Sequence, residues 1–337
     1  MTIATRPLGR SGLDVTTISF GGAGIGNLYQ AVSDEAAHEV LQAAWDAGIR
    51  FFDTAPRYGH GLSERRLGDF LRSKPRDSYV LSTKVGRILT PLRGREMGFY
   101  GFVDVLPFEQ EYDYSYDGIL RSHEASLHRL GLDRIDVLYM HDIGVDTHGV
   151  EQNAEYFPVA MSGGLKAMQE LRASGDVKAI GLGVNEVEVC LQALDHAEID
   201  AFLLAGRFTL LEQEGARPLL EACVARGTSL VIGGVFNSGI LATGAVPGAH
   251  YNYAEPPAEI VERVNRLERI CRSHGVPLAV AAQRFPLSHP AVASVLIGVS
   301  SKRNLDRNMA AMDVAIPDAL WADLVSEGLL APDLAPR

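Results

Sequence analysis

The chain has 337 residues, of which 47% are hydrophobic and 22% charged, so a large buried core is expected and disorder is not. A net charge of −11 disfavours nucleic acid and anionic membranes as partners, but leaves room for an anionic cofactor held by backbone N–H groups. The first residues carry no apolar secretory core, and no uncharged run approaches the roughly 18 residues needed to span a bilayer. The three dispersed cysteines, Cys190, Cys223 and Cys271, read as reduced thiols packed in helices, so a cytoplasmic setting is expected.

In chain order, eight short apolar runs read as strands: 15–20, 49–54, 79–85, 135–141, 177–184, 201–208, 229–236 and 294–299. They are nearly continuous in apolar character, as strands buried on both faces of a parallel sheet should be. Amphipathic stretches at 33–47, 117–130, 163–173 and 216–226 read as helices, the first opening on Ser33 and each closing at or near a glycine. Three longer connections, 86–115, 142–161 and 237–257, read as loops. The first holds Arg87, Arg93, Phe99, Tyr100 and Phe102, and loops of this length in a compact barrel usually cover a site. With no composition break and no internal repeat, one domain over 1–337 is expected.

Alternating strands and helices fit either a doubly wound sheet or a closed (β/α)8 TIM barrel. The barrel is favoured because polar, reactive residues fall at the C-terminal ends of several different strands. Gly21-Gly22-Ala23-Gly24-Ile25-Gly26 does not match the G-x-G-x-x-G dinucleotide fingerprint and reads better as a loop at the barrel mouth.

Asp53 ends the second run, Tyr58 follows it, Lys84 lies near the end of the third and His141 closes the fourth. A phenol with a pKa of about 10 exchanges protons poorly at neutral pH, and a neighbouring ammonium favours its ionised form. A buried lysine needs a counter-charge, which Asp53 supplies, while an imidazole opposite orients a substrate oxygen. Taken singly, Asp53 also reads as a turn cap and His141 as a structural histidine; their joint appearance on successive strand ends carries the weight. A Schiff-base lysine at Lys84 is the rival reading. No spacing of His141, Asp142 and His148 matches a metal site, and there is no G-x-S-x-G elbow.

These residues sit in stretches that resemble the aldo-keto reductase superfamily over nearly the whole chain. They are Leu8-Gly9-Arg10-Ser11-Gly12-Leu13 with Phe20-Gly21-Gly22, Phe52-Asp53-Thr54-Ala55 through Tyr58-Gly59 to Gly61-Leu62-Ser63-Glu64, and Ser126-Leu127-His128-Arg129-Leu130-Gly131 leading to His141. The resemblance implies a barrel with an N-terminal β-hairpin and long βα loops at the C-terminal face. It also implies Tyr58 as the general acid/base, Lys84 and Asp53 tuning it, His141 positioning the substrate, and NAD or NADP across the mouth with no metal. Gly22, Asn185, Phe236, Gly298, Ser300, Ser301, Arg303 and Asn308 are the implied cofactor residues. Tyr29, His60 and Asp142 are candidates for contact with a small-molecule sugar or aldehyde.

Within the superfamily the chain is similar to bacterial aldose 1-dehydrogenases and pyridoxal 4-dehydrogenase, through Lys84-Val85-Gly86-Arg87, Asp113–Gly118, Met140-His141-Asp142 and Gly233–Gly239. It departs from many relatives at Val184, Ala205 and Gly233, and at Asn304, where NADP-specific members carry an arginine. The implied activity is oxidation of an aldose C1 hydroxyl to a lactone, with NAD favoured. Pyridoxal oxidation, general aldehyde reduction and a non-catalytic nicotinamide-binding subunit are the alternatives.

Overall fold

Local sequence chemistry sets most of the element boundaries. The structure is a computed structural model that describes residues 3–94, 101–252 and 254–336; Phe99 and Tyr100 lie outside the described residues. An antiparallel hairpin, β1 (Thr5–Pro7) and β2 (Asp14–Thr16), opens the chain. Then β3 (Ile18–Gly21) leads to α1 (Asp34–Asp46), where the Ser33 side chain accepts from the Ala36 N–H as the N-cap. Next come β4 (Phe51–Asp53), α2 (Leu62–Leu71) and β5 (Val80–Val85).

After β5 the chain makes a second antiparallel hairpin, β6 (Arg87–Pro91) and β7 (Phe108–Tyr112), followed by α3 (Tyr116–Leu130) and β8 (Val137–His141). Then follow α4 (Val145–Val159), α5 (Leu165–Ser174), β9 (Ala179–Val184), α6 (Val187–Ala193) and β10 (Ala201–Ala205). The chain continues through α7 (Arg217–Arg226), β11 (Ser229–Gly233), α8 (Ile240–Thr243), α9 (Ala258–Ser273) and α10 (Leu278–Arg284). It closes with β12 (Val292–Gly298), α11 (Lys302–Ala310) and α12 (Asp318–Ser326).

Strands β3, β4, β5, β8, β9, β10, β11 and β12 pair in parallel in that order, and β12 returns to β3 to close the barrel. Phe51, Val137, Tyr139, Val231 and Leu296 pack inside it, with Leu8 and Val15 of the first hairpin in the same apolar cluster. That hairpin is tied to the N-terminal ends of the strands: Arg6 Nη1 donates to the Val292 carbonyl (2.7 Å) and the Gly9 N–H to Ser229 Oγ (2.7 Å). The larger apolar cluster fills the space between strands and helices. The C-terminal strand ends are therefore left as the open mouth. Among the described residues, no helix is long and apolar enough to cross a membrane.

Four expectations need correction. The loop 86–115 contains the β6–β7 hairpin, and most of 142–161 is α4, kinked where Gly149 takes φ +71°. The runs 201–208 and 229–236 stop at Ala205 and Gly233, because Gly206 and Gly234 adopt φ of +71° and +61° and break the strand.

Candidate active site

Parallel pairing brings the reactive strand ends to one place. Asp53 registers with Ser82 across β4–β5 and Lys84 with Tyr139 across β5–β8, so Asp53, Lys84 and His141 reach the mouth from three adjacent strands. Tyr58 comes from a tight turn between β4 and α2, its N–H donating to the Ala55 carbonyl (3.1 Å) and its own carbonyl accepting from the Ser63 N–H (3.1 Å). Gly26 lies against that turn so closely that a Cβ there would sit 2.8 Å from the Tyr58 carbonyl carbon.

The serine and glutamate of the Gly61–Glu64 stretch hold this region from behind. Ser63 Oγ donates to the Gly22 carbonyl (2.8 Å), and buried Glu64 accepts from Thr83 Oγ1 (2.8 Å) and Arg129 Nε (2.5 Å).

Lys84 is 1% exposed; its Nζ donates to Asp53 Oδ2 (2.6 Å) and the Thr54 carbonyl (2.9 Å) and lies 4.7 Å from the Tyr58 ring centroid. Ser82 Oγ donates to the second Asp53 oxygen (2.7 Å). Burial works against the Lys84 ammonium, yet Asp53 and Tyr58 hold it above the ordinary lysine range. Burial pushes the Asp53 carboxyl up, with Lys84 opposing. The arrangement is a desolvated ion pair beneath a phenol. Gly183 on β9 makes room for it: a Cβ there would lie 3.2 Å from Lys84 Cε.

Burial raises the Tyr58 pKa above the ordinary phenol value, Lys84 lowering it and Asp53 adding to the rise. The sequence reading anticipated the pull of Lys84 but not that burial outweighs it. Tyr58 is therefore protonated at neutral pH, with its ring stacked on Phe102 (centroids 5.9 Å apart) and edge-on to His141 (6.1 Å).

Burial holds the His141 imidazole well below its usual range, with Asp142 opposing, so it is neutral at physiological pH. Its Nδ1 is buried without a hydrogen-bond partner among the described residues, and the Tyr114 hydroxyl donates to its backbone carbonyl (2.8 Å). The next residue, Asp142, takes φ +51° and forms an ion pair with Arg87 of β6. Burial raises this carboxyl, but His141, Arg87 and Arg57 outweigh it and hold the pKa at about 2.

A cavity of about 850 Å³ opens over these groups. Tyr29, Tyr58, Lys84, His141, Asp142 and Asn185 line it together, with Asp53 buried below. His60 does not line it; its Nδ1 lies 2.6 Å from the Phe108 carbonyl, against the second hairpin. Gly22 is explained by packing, since a Cβ there would meet Ser63 Oγ at 2.6 Å and the Asp53 carbonyl at 2.7 Å.

Phe236 is half-buried in the turn after β11. Gly298 ends β12 beside Gly21, exposed and with open space where a Cβ would be. Ser300 Oγ accepts from Gln30 Nε2 (2.8 Å), Ser301 caps α11, Arg303 is exposed on its first turn, and Asn308 is buried farther along it. Ser300, Ser301, Arg303 and Asn308 follow the last barrel strand, and neither they nor Phe236 and Gly298 line the cavity.

Sequence reading missed two cavity arginines. Arg57 was visible beside Tyr58 but was read only as part of the motif, and Arg207 was hidden inside an over-long strand. Among the described residues, no group of three or more His, Cys, Asp or Glu side chains is arranged to hold a metal ion.

The family model described as "Aldo/keto reductase family" matches residues 17–326. The chain is 47% identical over 335 residues to pyridoxal 4-dehydrogenase of Microbacterium luteolum, covering 97% of this chain and 98% of the relative. It is 42% identical to D-threo-aldose 1-dehydrogenase of a Pseudomonas species, covering 95% and 96%. Its fold resembles the solved holo form of an aldo-keto reductase from Bacillus halodurans, with a TM-score of 0.75 at 22% identity and coverage of 99% and 96%. The closed barrel, the full-length relatives named as dehydrogenases and the family match together make this chain a member of the aldo/keto reductase family, an oxidoreductase of hydroxyl and carbonyl groups.

Proposed function

We propose that this protein is an NAD-dependent dehydrogenase that oxidises the C1 hydroxyl of a cyclic aldose of the L-fucose or D-threo type to its lactone. The single observation that carries the reading is the phenol of Tyr58 over the buried Lys84–Asp53 pair, open to the same cavity as neutral His141. In the oxidising sense Tyr58 takes the hydroxyl proton, Lys84 favouring its ionised form; in the reducing sense the protonated phenol gives it back. The neutral His141 imidazole orients the substrate oxygen without competing for that proton.

The residues present suit a nicotinamide dinucleotide. Asn185 offers an amide partner in the cavity; Gly298 is a bare, open strand end; and α11 begins with a serine cap and no acidic residue in its first turn, which favours an anion. When bound, the nicotinamide supplies or accepts the hydride at the carbon bearing the reacting oxygen. Asn304 supplies no charge for a 2′-phosphate, which favours NAD over NADP. Lys84 is held charged and buried, which favours this reading over a Schiff-base lyase, whose lysine must be neutral and reachable. A cytoplasmic location accords with these cofactor and thiol readings.

Pyridoxal oxidation is the second reading, supported by the 47% identical relative and by the aromatic side chains Phe102 and Tyr112 in the cavity wall. The test is the rise of reduced-nicotinamide absorbance with NAD and NADP in parallel, using L-fucose, D-arabinose, L-galactose, D-glucose and pyridoxal. The expected result is reduction of NAD by a sugar, with NADP poorer. Activity with pyridoxal alone selects the second reading. Silence with both nucleotides across the panel overturns both.

A further inference from the structure

Among the described residues, four cationic side chains line the cavity, and three of them have a partner. Lys84 is held by Asp53, and Arg87 by Asp142. Arg207 donates to Asn252 Oδ1 (3.2 Å) and lies 3.7 Å from an Asp146 oxygen. The guanidinium of Arg57 is half-buried and, among the described residues, makes neither a hydrogen bond nor an ion pair. A partly desolvated, unpaired guanidinium loses hydration without compensation, so such a group is normally seen with its partner. Asp142 feels its charge but is already committed to Arg87.

The position of Arg57 is fixed by the turn that fixes Tyr58. The Arg57 carbonyl accepts from the His60 N–H (3.2 Å), and the next N–H along, that of Tyr58, donates to the Ala55 carbonyl.

We infer that Arg57 is a specificity-determining residue that docks an anionic oxygen of the substrate, carboxylate or phenolate, beside the carbon that Tyr58 serves. A guanidinium pairs such oxygens through fixed, planar donors. A monoanion fits better than a phosphate dianion, because among the described residues a single cavity cation is free and the Asp142 carboxylate stands nearby. The inference rests on the dehydrogenase chemistry above and replaces its neutral sugar with an anionic hydroxyl or carbonyl compound as the preferred substrate.

The experiment compares wild type, Arg57→Gln and Arg57→Lys on two matched pairs: D-galacturonate against D-galactose in oxidation, and 2-hydroxybenzaldehyde, above its phenol pKa, against benzaldehyde in reduction. Wild type is expected to prefer the anionic member of at least one pair. Arg57→Gln is expected to cut that preference by about 10- to 100-fold, the effect of losing a charged hydrogen bond, mostly through KM. Arg57→Lys should restore part of it. The pair that responds tells carboxylate from phenolate.

Turnover of the neutral members with no anion preference, or a preference that survives in Arg57→Gln, overturns the inference while leaving the dehydrogenase reading intact. Silence on all four compounds counts against the dehydrogenase reading instead. The docking claim is then decided by calorimetric titration with benzoate, which needs no turnover. Saturable binding lost in Arg57→Gln upholds it, and absent binding, or equal binding in both proteins, overturns it.

Discussion

Tyr58→Phe is expected to lower kcat by about 10²- to 10⁴-fold, the usual worth of a positioned general acid/base. The substitution removes one oxygen and keeps the ring that stacks on Phe102 and meets His141 edge-on, so cavity shape and the KM for nicotinamide should change little. Because burial holds the phenol above its ordinary range, aldehyde reduction by wild type should be flat through neutral pH and fall only when Tyr58 loses its proton. Oxidation should rise with pH over that same alkaline range, since it needs the deprotonated form. Both limbs should be missing from the Phe variant. Full activity with an unchanged pH profile in Tyr58→Phe would remove Tyr58 from the chemistry.

Lys84→Met should damage both stability and turnover, and the two effects can be separated. The substitution leaves the Asp53 carboxylate, fully buried, without its counter-charge, and breaking such a pair costs about 3–5 kcal/mol. Burial already favours the protonated carboxyl at Asp53, and without Lys84 nothing of comparable strength opposes it. Its folded pKa then lies above the unfolded one. The variant should thus be most stable at low pH and lose stability as pH rises through the folded value.

Urea unfolding at several pH values measures this dependence. Adding Asp53→Asn removes the unpaired charge and should recover much of the stability without restoring turnover. The alkaline limb of oxidation should also move upward in Lys84→Met, because the ammonium pulls the Tyr58 pKa down. A stable Lys84→Met protein with the wild-type limb would deny the lysine its tuning role.

Much of this site was legible in the sequence because barrel geometry turns sequence order into spatial order. Asp53 and His141 end their barrel strands and Lys84 lies one residue short of the end of the strand between them, so parallel pairing alone brings them together. Strand existence was equally readable from continuous apolar runs, whereas strand ends were not. At Gly206 and Gly234 a positive φ ends the strand within an apolar stretch, and periodicity does not report backbone handedness.

The β6–β7 hairpin was missed because Arg87–Pro91 and Phe108–Tyr112 carry no short hairpin-turn signature and are far apart in the chain. Pairings such as Arg87–Asp142, and the lack of one at Arg57 among the described residues, depend on where long side chains settle after folding. The net direction of the Tyr58 shift was likewise unreadable, since it is a contest between burial and one ammonium whose outcome is set by depth.

The most direct test of the central claim follows the hydrogen on the reacting carbon. An aldose deuterated at C1, with pyridoxal deuterated at its aldehyde carbon in parallel, is incubated with the enzyme and NAD, and the products are analysed by mass spectrometry. The account predicts that the label appears on the nicotinamide ring in step with the oxidised product, and that the transfer slows in Tyr58→Phe. Unlabelled nicotinamide, together with substrate trapped on Lys84 by borohydride, would contradict it and assign the lysine to covalent catalysis.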